Sequence, residues 1–456
     1  VFRRKGVLAV VTAGVLSAAL AACSGGSTAT PEPAASGTDA YAGRSITALV
    51  AAAGAGSKAQ YDEYYKTLSD EFTKATGATV NFQFYSGGAQ QNTIVQTSLV
   101  SGSGPDVIGY GSSVGGTLAA TKGFVTLSAE DWKRVGGREA WNDSTLSASG
   151  AGADNSIGIP SFSVPFVIAY NKEYFEKAGI SAPPKTWDEW ITTAKKVQDA
   201  NPGVYGAGFD PADPLDPWKF VWSYTHQLGG AMVSEDGKDA QLSTDEVKKA
   251  TDFYFSQFYE HKIVPPESLS WNSAQMLSAF TSGQVAMLPI ATRGTLSAAK
   301  GTPVEGKIDF AQLPSVPEGM TERPEGGTPA ASIVSGQFWA VFKYAEKNKD
   351  LALELAKVSN NDVVIQKQYE LLGWAPTTKD GIEKLSKSHP ESRPFLEIQA
   401  NMEATEFSPA WTQIQTGLSV TVNKVAENLA TSGQWNEGFL NEQLSNADQA
   451  VQSALK

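Results

Sequence analysis

From residue 45 onward the chain alternates short apolar runs with longer segments in which apolar residues recur every three to four positions. "SITALVAAAG" reads as a strand, and "SKAQYDEYYKTLSDEFTKATG" as a helix with Ser57 as its cap, Tyr61, Tyr64, Leu68 and Phe72 on one face, and Gly77 as its stop. "ATVNFQFYSGG" alternates Val80, Phe82 and Phe84, the period of a strand that ends in a loop. A second helix through Ile94 and Leu99 leads to "SGSGPDVIGYGSS", a buried strand entered at a proline. This β-α-β-α-β order predicts a parallel sheet covered by helices, the α/β class. Ligands of such sheets sit outside the carboxyl ends of the strands, which here means the loops at 54–57, 85–90 and 110–113, including Tyr85, Gln90, Tyr110 and Ser113.

The amino-terminal pattern is different. Arg3, Arg4 and Lys5 precede the apolar run "GVLAVVTAGVLSAALAA", the layout of a secretory signal and too short for a convincing membrane span. Leu20, Ala21, Ala22 and Cys23 resemble the lipobox of bacterial lipoproteins, so residues 1–22 are expected to be a signal peptide and Cys23 the acylated residue. Residues 23–43, rich in Ser, Thr, Pro, Ala and Gly, then read as a flexible tether. Later in the chain no apolar segment is long enough to cross a bilayer, so the expected membrane association is through the lipid alone. Cys23 is the only cysteine, which leaves no disulfide and no thiolate metal site.

About 410 residues remain, which favours two domains with a sizeable core in each. The formal net charge is -12 for the whole chain and more negative once the signal cations are removed. Such a surface repels phosphate backbones, and nucleic acid is not expected as a partner. Charged residues make up only 18%, while 11 Trp, 14 Tyr and 20 Phe leave aromatics to spare for a binding site. Gly111, Ser113 and Gly115 satisfy G-x-S-x-G, but His226, His261 and His389 lie in no recognisable catalytic context, and a chain with 43 glycines produces this pattern easily. Neither a cofactor nor a metal is expected, because no His/Cys/acid cluster with ligand spacing stands out.

The most informative stretch is "IPSFSVPFVIAYNKEYFEKAGISAPPKTWDEW". Locally it is a strand at 164–170, a short helix ended by Gly179, two prolines, and a helix whose Thr186 and Glu189 form a capping box. The run Tyr170-Asn171-Lys172 after the strand, with Phe175, Ala178, Gly179, the prolines and "TWDEW", resembles the extracellular solute-binding proteins of ABC importers, in particular the sugar-binding branch that includes maltose-binding protein. "SGSGPDVI", "SAFTSGQVAMLPIATRG", "LLGWAPTTKD" and "SPAWTQIQTGLSVTVNKVAENLATSGQ" follow in the matching order and extend the resemblance over the whole body.

That resemblance implies a two-lobed periplasmic-binding-protein-like fold, each lobe a mainly parallel sheet flanked by helices, closing on its ligand about a hinge. Lobe 1 would comprise 44–160 and 340–378, and lobe 2 161–339 and 379–456, with hinges at 160–164, 335–339 and 376–379. It also implies a monomeric, non-catalytic receptor on the outer face of the cytoplasmic membrane, passing a sugar or oligosaccharide to ABC permease subunits. Carried over position by position, Tyr110 and Ser113 fall on first-lobe ligand contacts, and Asp216 and Trp218 on an acid and an aromatic of the second lobe. Arg293 stands where the family has a stacking tryptophan, Trp411 matches a stacking tryptophan and Gln415 an arginine. Gln337, Phe338 and Trp374 border the hinges, and Trp271 lies on a polar loop before a helix. Asp216 could equally cap the following helix, and Trp187 and Trp222 fit a core. Two other readings stay open: the same fold holding iron, a polyamine or another solute, for which the only adjacent tyrosine pair is Tyr64 and Tyr65; and a secreted glycan enzyme using two carboxylates.

Overall fold

The computed structural model describes residues 40–52, 57–86, 88–214 and 216–456. The signal, Cys23 and nearly all of the tether lie outside these residues, as do most of the loop expected at 54–57 and Gly87.

Two sheets organise the body. The first has the order β2-β1-β3-β9-β4, from β1 (Ser45–Ala51), β2 (Thr79–Tyr85), β3 (Val107–Gly111), β4 (Ile159–Ser163) and β9 (Gly336–Val341). The second has the order β6-β7-β5-β8, from β5 (Val167–Asn171), β6 (Tyr205–Ala207), β7 (Val285–Ala291) and β8 (Ile308–Ala311). The β-α-β-α-β start forms as its pattern predicts, with β1 parallel to both β2 and β3. Beyond it the sheets are mixed. β9 runs antiparallel to β3 and β4, and β5 runs antiparallel to β7 and β8, because these strands bring the chain back from the other sheet instead of through a covering helix.

The crossings are short. What reads in sequence as one strand at 164–170 is preceded by β4, and the three residues 164–166 carry the chain from the first sheet to β5 in the second. β9 returns it, and Ser163 and Ala375 exchange backbone hydrogen bonds of 2.9 and 2.8 Å, bringing a third segment to the same place.

Local chemistry accounts for the helices that frame this region. Ser57 and Gln60 cap Lys58–Thr76 reciprocally, and Gly77 ends it at φ 73, a left-handed turn that glycine adopts without a Cβ clash. Tyr61, Tyr64, Leu68 and Phe72 are buried against the first sheet as their spacing predicts. Asp106 accepts from Thr47 N and Asn348 Nδ2 at 2.8 and 2.9 Å and so ties the start of β3 to β1. Around the second sheet, Trp187 stacks on Phe253 at 4.0 Å and 16° and donates to Gln227 Oε1 at 2.7 Å, while Trp222 is fully enclosed; both belong to the core. No helix among the described residues is long and apolar enough to cross a membrane.

Candidate functional site

A cavity of about 870 Å³ opens where the chain crosses between the sheets. Its first-sheet side is aromatic. Phe162, in β4, lies face to face with Trp374 at 3.7 Å and 9°, Tyr61 meets the Trp374 ring edge-on at 5.6 Å, and Tyr65 lies beside them. The other side mixes apolar residues of β7, Leu288 and Ile290, with Ser273, Thr292 and the ion pair Asp216–Lys219. Lys219 sits 4.9 Å above the Phe166 ring. At the floor is Gln337, 6% exposed, whose Nε2 has no hydrogen-bond partner among the described residues. A buried amide donor left unpaired is costly, and because Nε2 is enclosed over Gly109 a ligand acceptor would reach it only once the side chain turns toward the cavity. A second cavity, about 580 Å³, lies beside Trp132 and Arg138 and has no lining residue from the second sheet.

Of the residues named from the sequence, the structure brings Asp216, Gln337 and Trp374 to the cavity. Asp216 takes the cap position of the Pro217–Gln227 helix without a side-chain cap bond and instead pairs with Lys219. The others have different surroundings. Trp411, at the start of the Trp411–Ser432 helix, is fully buried and meets Trp218 edge-on at 5.6 Å; neither ring lines the cavity. Tyr110 and Phe338 stack on each other at 5.7 Å beneath Gly158, where a Cβ would come within 2.0 Å of the Tyr110 hydroxyl. Tyr85 donates to Gly109 O at 3.2 Å, and burial pushes its phenol up to about 12. Gln90 is exposed and accepts from Ser86 N at 2.7 Å. Ser113 lies half-buried in the short turn after β3, and Gln415 half-buried in the Trp411–Ser432 helix.

Arg293 follows β7 and reaches across to the helix Asp362–Leu372. Its guanidinium covers the Tyr369 ring at 4.2 Å and Nη1 donates to Tyr369 O at 3.2 Å, which makes it a cross-link beside the cavity. Trp271, 8% exposed, packs with Met276 and Phe280, and its carbonyl accepts from Ala212 N at 3.1 Å. Tyr64 and Tyr65 meet edge to face at 5.0 Å, and burial raises both phenols, an environment that opposes the phenolates an iron site needs.

Sequence reasoning missed Phe162, Tyr61, Tyr65 and Lys219. Tyr61 stood out only as one of an apolar helical face, and nothing in that periodicity separates a residue that faces a cavity from one that faces a core. An aromatic wall with an amide beside it, in one cavity with hydroxyl and carboxylate groups, can hold a molecule that has both C–H faces and hydroxyls.

Comparison with known proteins shows the family and the fold. Residues 55–361 match the family described as "Bacterial extracellular solute-binding protein". The diacetylchitobiose binding protein DasA of Streptomyces coelicolor is 25% identical over 420 residues, 91% of each chain. Among solved structures, a solute-binding protein of Thermotoga lettingae bound with α-D-tagatose superposes with a TM-score of 0.70 at 21% identity, covering 91% of this chain and 100% of that one. The sugar-binding protein MalE of Xanthomonas citri gives a TM-score of 0.72 at 16% identity, covering 89% and 97%. These relatives are binding proteins and not enzymes, and the resemblance read from the sequence is borne out: the chain belongs to the bacterial extracellular solute-binding proteins of ABC transporters.

Proposed function

We propose that this protein captures a neutral carbohydrate in the cavity between its sheets and delivers it to the permease subunits of an ABC importer. The observation that carries the reading is the Phe162–Trp374 stack with Tyr61 at its edge, beside Gln337 of the neighbouring strand and in one cavity with Asp216. Sugar rings present C–H faces to aromatic planes and hydroxyls to amides and carboxylates, and this wall offers both. The names of DasA and of a Pyrococcus abyssi maltotriose-binding protein, 25% identical over 48% of this chain, support the same ligand class. A third relative is named for sn-glycerol-3-phosphate. For a phosphorylated ligand the cavity wall is poorly suited, because Lys219 is already paired with Asp216.

In this reading residues 44–160 with 340–378 form one lobe and 161–339 with 379–456 the other, and ligand closes them about the crossing segments. Trp374, Gln337 and Asp216 are the ligand contacts, and Trp411 and Trp218 support the second-lobe wall from behind. Cys23 carries a lipid that holds a monomeric receptor outside the cytoplasmic membrane, beside its transporter. A thermal-shift screen against N,N′-diacetylchitobiose, maltotriose, tagatose, ribitol and sn-glycerol 3-phosphate tests the ligand class, because a ligand raises the melting temperature by mass action. A rise with a neutral sugar supports the proposal, and a rise with the phosphate ester alone refutes it.

A further inference from the structure

The segment between β6 and the Pro217–Gln227 helix reads "FDPADPLDPW" and spaces three aspartates three residues apart. Folded, they converge: a carboxylate oxygen from each of Asp210, Asp213 and Asp216 lies within 4.8 Å of the other two. The neighbours of Asp213 and Asp216 are visible. Asp213 accepts from Asp216 N at 3.1 Å and from Ser273 N at 3.0 Å, and Asp216 pairs with Lys219. Asp210 differs. It is 0% exposed, and neither of its oxygens has a hydrogen-bond partner among the described residues.

A carboxylate cannot stay buried, charged and unbonded beside two others; it needs a proton or a cation. Three carboxylates face a single ammonium, Lys219, so two negative charges are left to balance, which is the charge of one divalent ion. A second orphan borders the same place. The Tyr254 hydroxyl is buried without a partner among the described residues, and its phenol is pushed up by burial and then by Asp210, Asp216 and Asp213. All the donors are hard oxygens, with no thiolate or imidazole among them, which selects an alkaline-earth ion over zinc or copper. A site made up of protein carboxylates suits Ca²⁺, which takes six to eight oxygen ligands in flexible geometry, better than Mg²⁺, which demands near-ideal octahedral geometry and keeps several of its waters.

We propose that Asp210, Asp213 and Asp216 hold a structural Ca²⁺ ion that fixes the loop carrying Asp216 and Lys219 at the cavity wall. Polar contacts that hold the loop include Asp213 N to Asp210 O and Asp216 N to Asp213 within it, and Ala212 N to Trp271 O, Ser273 N to Asp213, and Asn423 Nδ2 to the carbonyls of Pro211 and Asp213 around it. An ion would bind the three carboxylates to one another, which these bonds do not do for Asp210. The site needs no sugar, so its test is separate from that of the ligand reading. It also revises the expectation from the sequence that no metal is bound.

The experiment is thermal unfolding of EDTA-dialysed protein with Ca²⁺, with Mg²⁺ and with neither, together with Tb³⁺ luminescence sensitised by the neighbouring Trp218 and Tyr254. Saturating Ca²⁺ should raise Tm by about 5 °C and displace Tb³⁺ with a stoichiometry of one. In Asp210→Asn, which keeps the shape and removes the charge, both effects should vanish; Asp213→Asn provides a second variant should the first fail to fold. A parent Tm indifferent to Ca²⁺ would overturn the proposal and identify Asp210 as a buried neutral acid. An equal rise with Mg²⁺ would overturn the assignment to Ca²⁺.

Discussion

Replacing Trp374 with alanine separates the ligand wall from the core. The ring is 6% exposed, stacked on Phe162 at 3.7 Å and met edge-on by Tyr61 at 5.6 Å and Tyr64 at 5.2 Å. Truncating a tryptophan so enclosed costs about 3–5 kcal/mol of stability. If the same ring supports a sugar, its loss also removes a desolvated aromatic platform, a further ~2 kcal/mol or about thirty-fold in Kd. Calorimetric titration well below each variant's Tm, with the panel sugar that binds the parent, measures the second effect without the first. Trp411→Ala is the companion: that ring is fully buried against Trp218, so its loss should lower Tm by a comparable amount and change Kd by less than a factor of about five. Parent-like affinity in Trp374→Ala, with a large loss in Trp411→Ala, would refute the cavity placement and restore Trp411 as the stacking platform.

Three more outcomes are expected. Burial alone would raise the Glu406 carboxyl, but bonds from His226, Met232 N and Trp222 Nε1 at 3.2, 2.7 and 2.9 Å hold it below the usual range. Its stabilisation is therefore complete above the unfolded carboxylate value of about 4.3 and is lost as pH falls through the folded one; Tm measured from pH 7 to 3 should fall less in Glu406→Gln than in the parent, and parallel curves would contradict this. Gly158→Ala places a Cβ 2.0 Å from the Tyr110 hydroxyl and should cost about 1–3 kcal/mol in denaturant unfolding, a cost reduced but not abolished in the double variant Gly158→Ala/Tyr110→Phe, where the ring carbon Cζ at 2.9 Å and Phe338 Cβ at 3.1 Å remain; an unchanged cost would show that the hydroxyl is not the obstacle. Cys23→Ala should move the protein from washed membranes to the soluble fraction with ligand affinity unchanged, and equal membrane retention would exclude the lipid anchor.

Legibility followed how local each signal was. The opening β-α-β-α-β unit was readable because each element is written in its own periodicity and caps, as at Ser57, Gln60 and Gly77. β4 was not read, and the strand read at 164–170 began within the crossing, because the apolar positions run from 164 into β5 almost without a break and only pairing with different partners marks where each strand lies. The antiparallel course of β9 depends on contacts some 180–230 residues away in the chain and left no local mark. Of the residues at the cavity, Trp374 and Gln337 were picked out because they border the hinges that the family resemblance implies, and Asp216 because it matches a second-lobe acid of the family. Tyr61 and Phe162 were hidden within apolar patterns that look identical whether they face a core or a cavity, and Trp411 shows the reverse, an aromatic matched to a ligand contact and enclosed by its neighbours. The aspartates were visible as a D-x-x-D-x-x-D spacing, yet only the curvature of the loop after β6 turns that spacing into a cluster.

The central claim is that a neutral sugar binds between the sheets against Trp374 and Gln337, and isothermal titration of the parent and of Gln337→Leu tests it most directly. Leucine preserves the volume and removes the unpaired amide, so it should leave Tm near the parent's. The account predicts saturable one-to-one binding of at least one of N,N′-diacetylchitobiose, maltotriose, tagatose or ribitol, weakened about ten-fold or more in Gln337→Leu. Parent-like sugar affinity in that variant, or binding confined to sn-glycerol 3-phosphate, would contradict it.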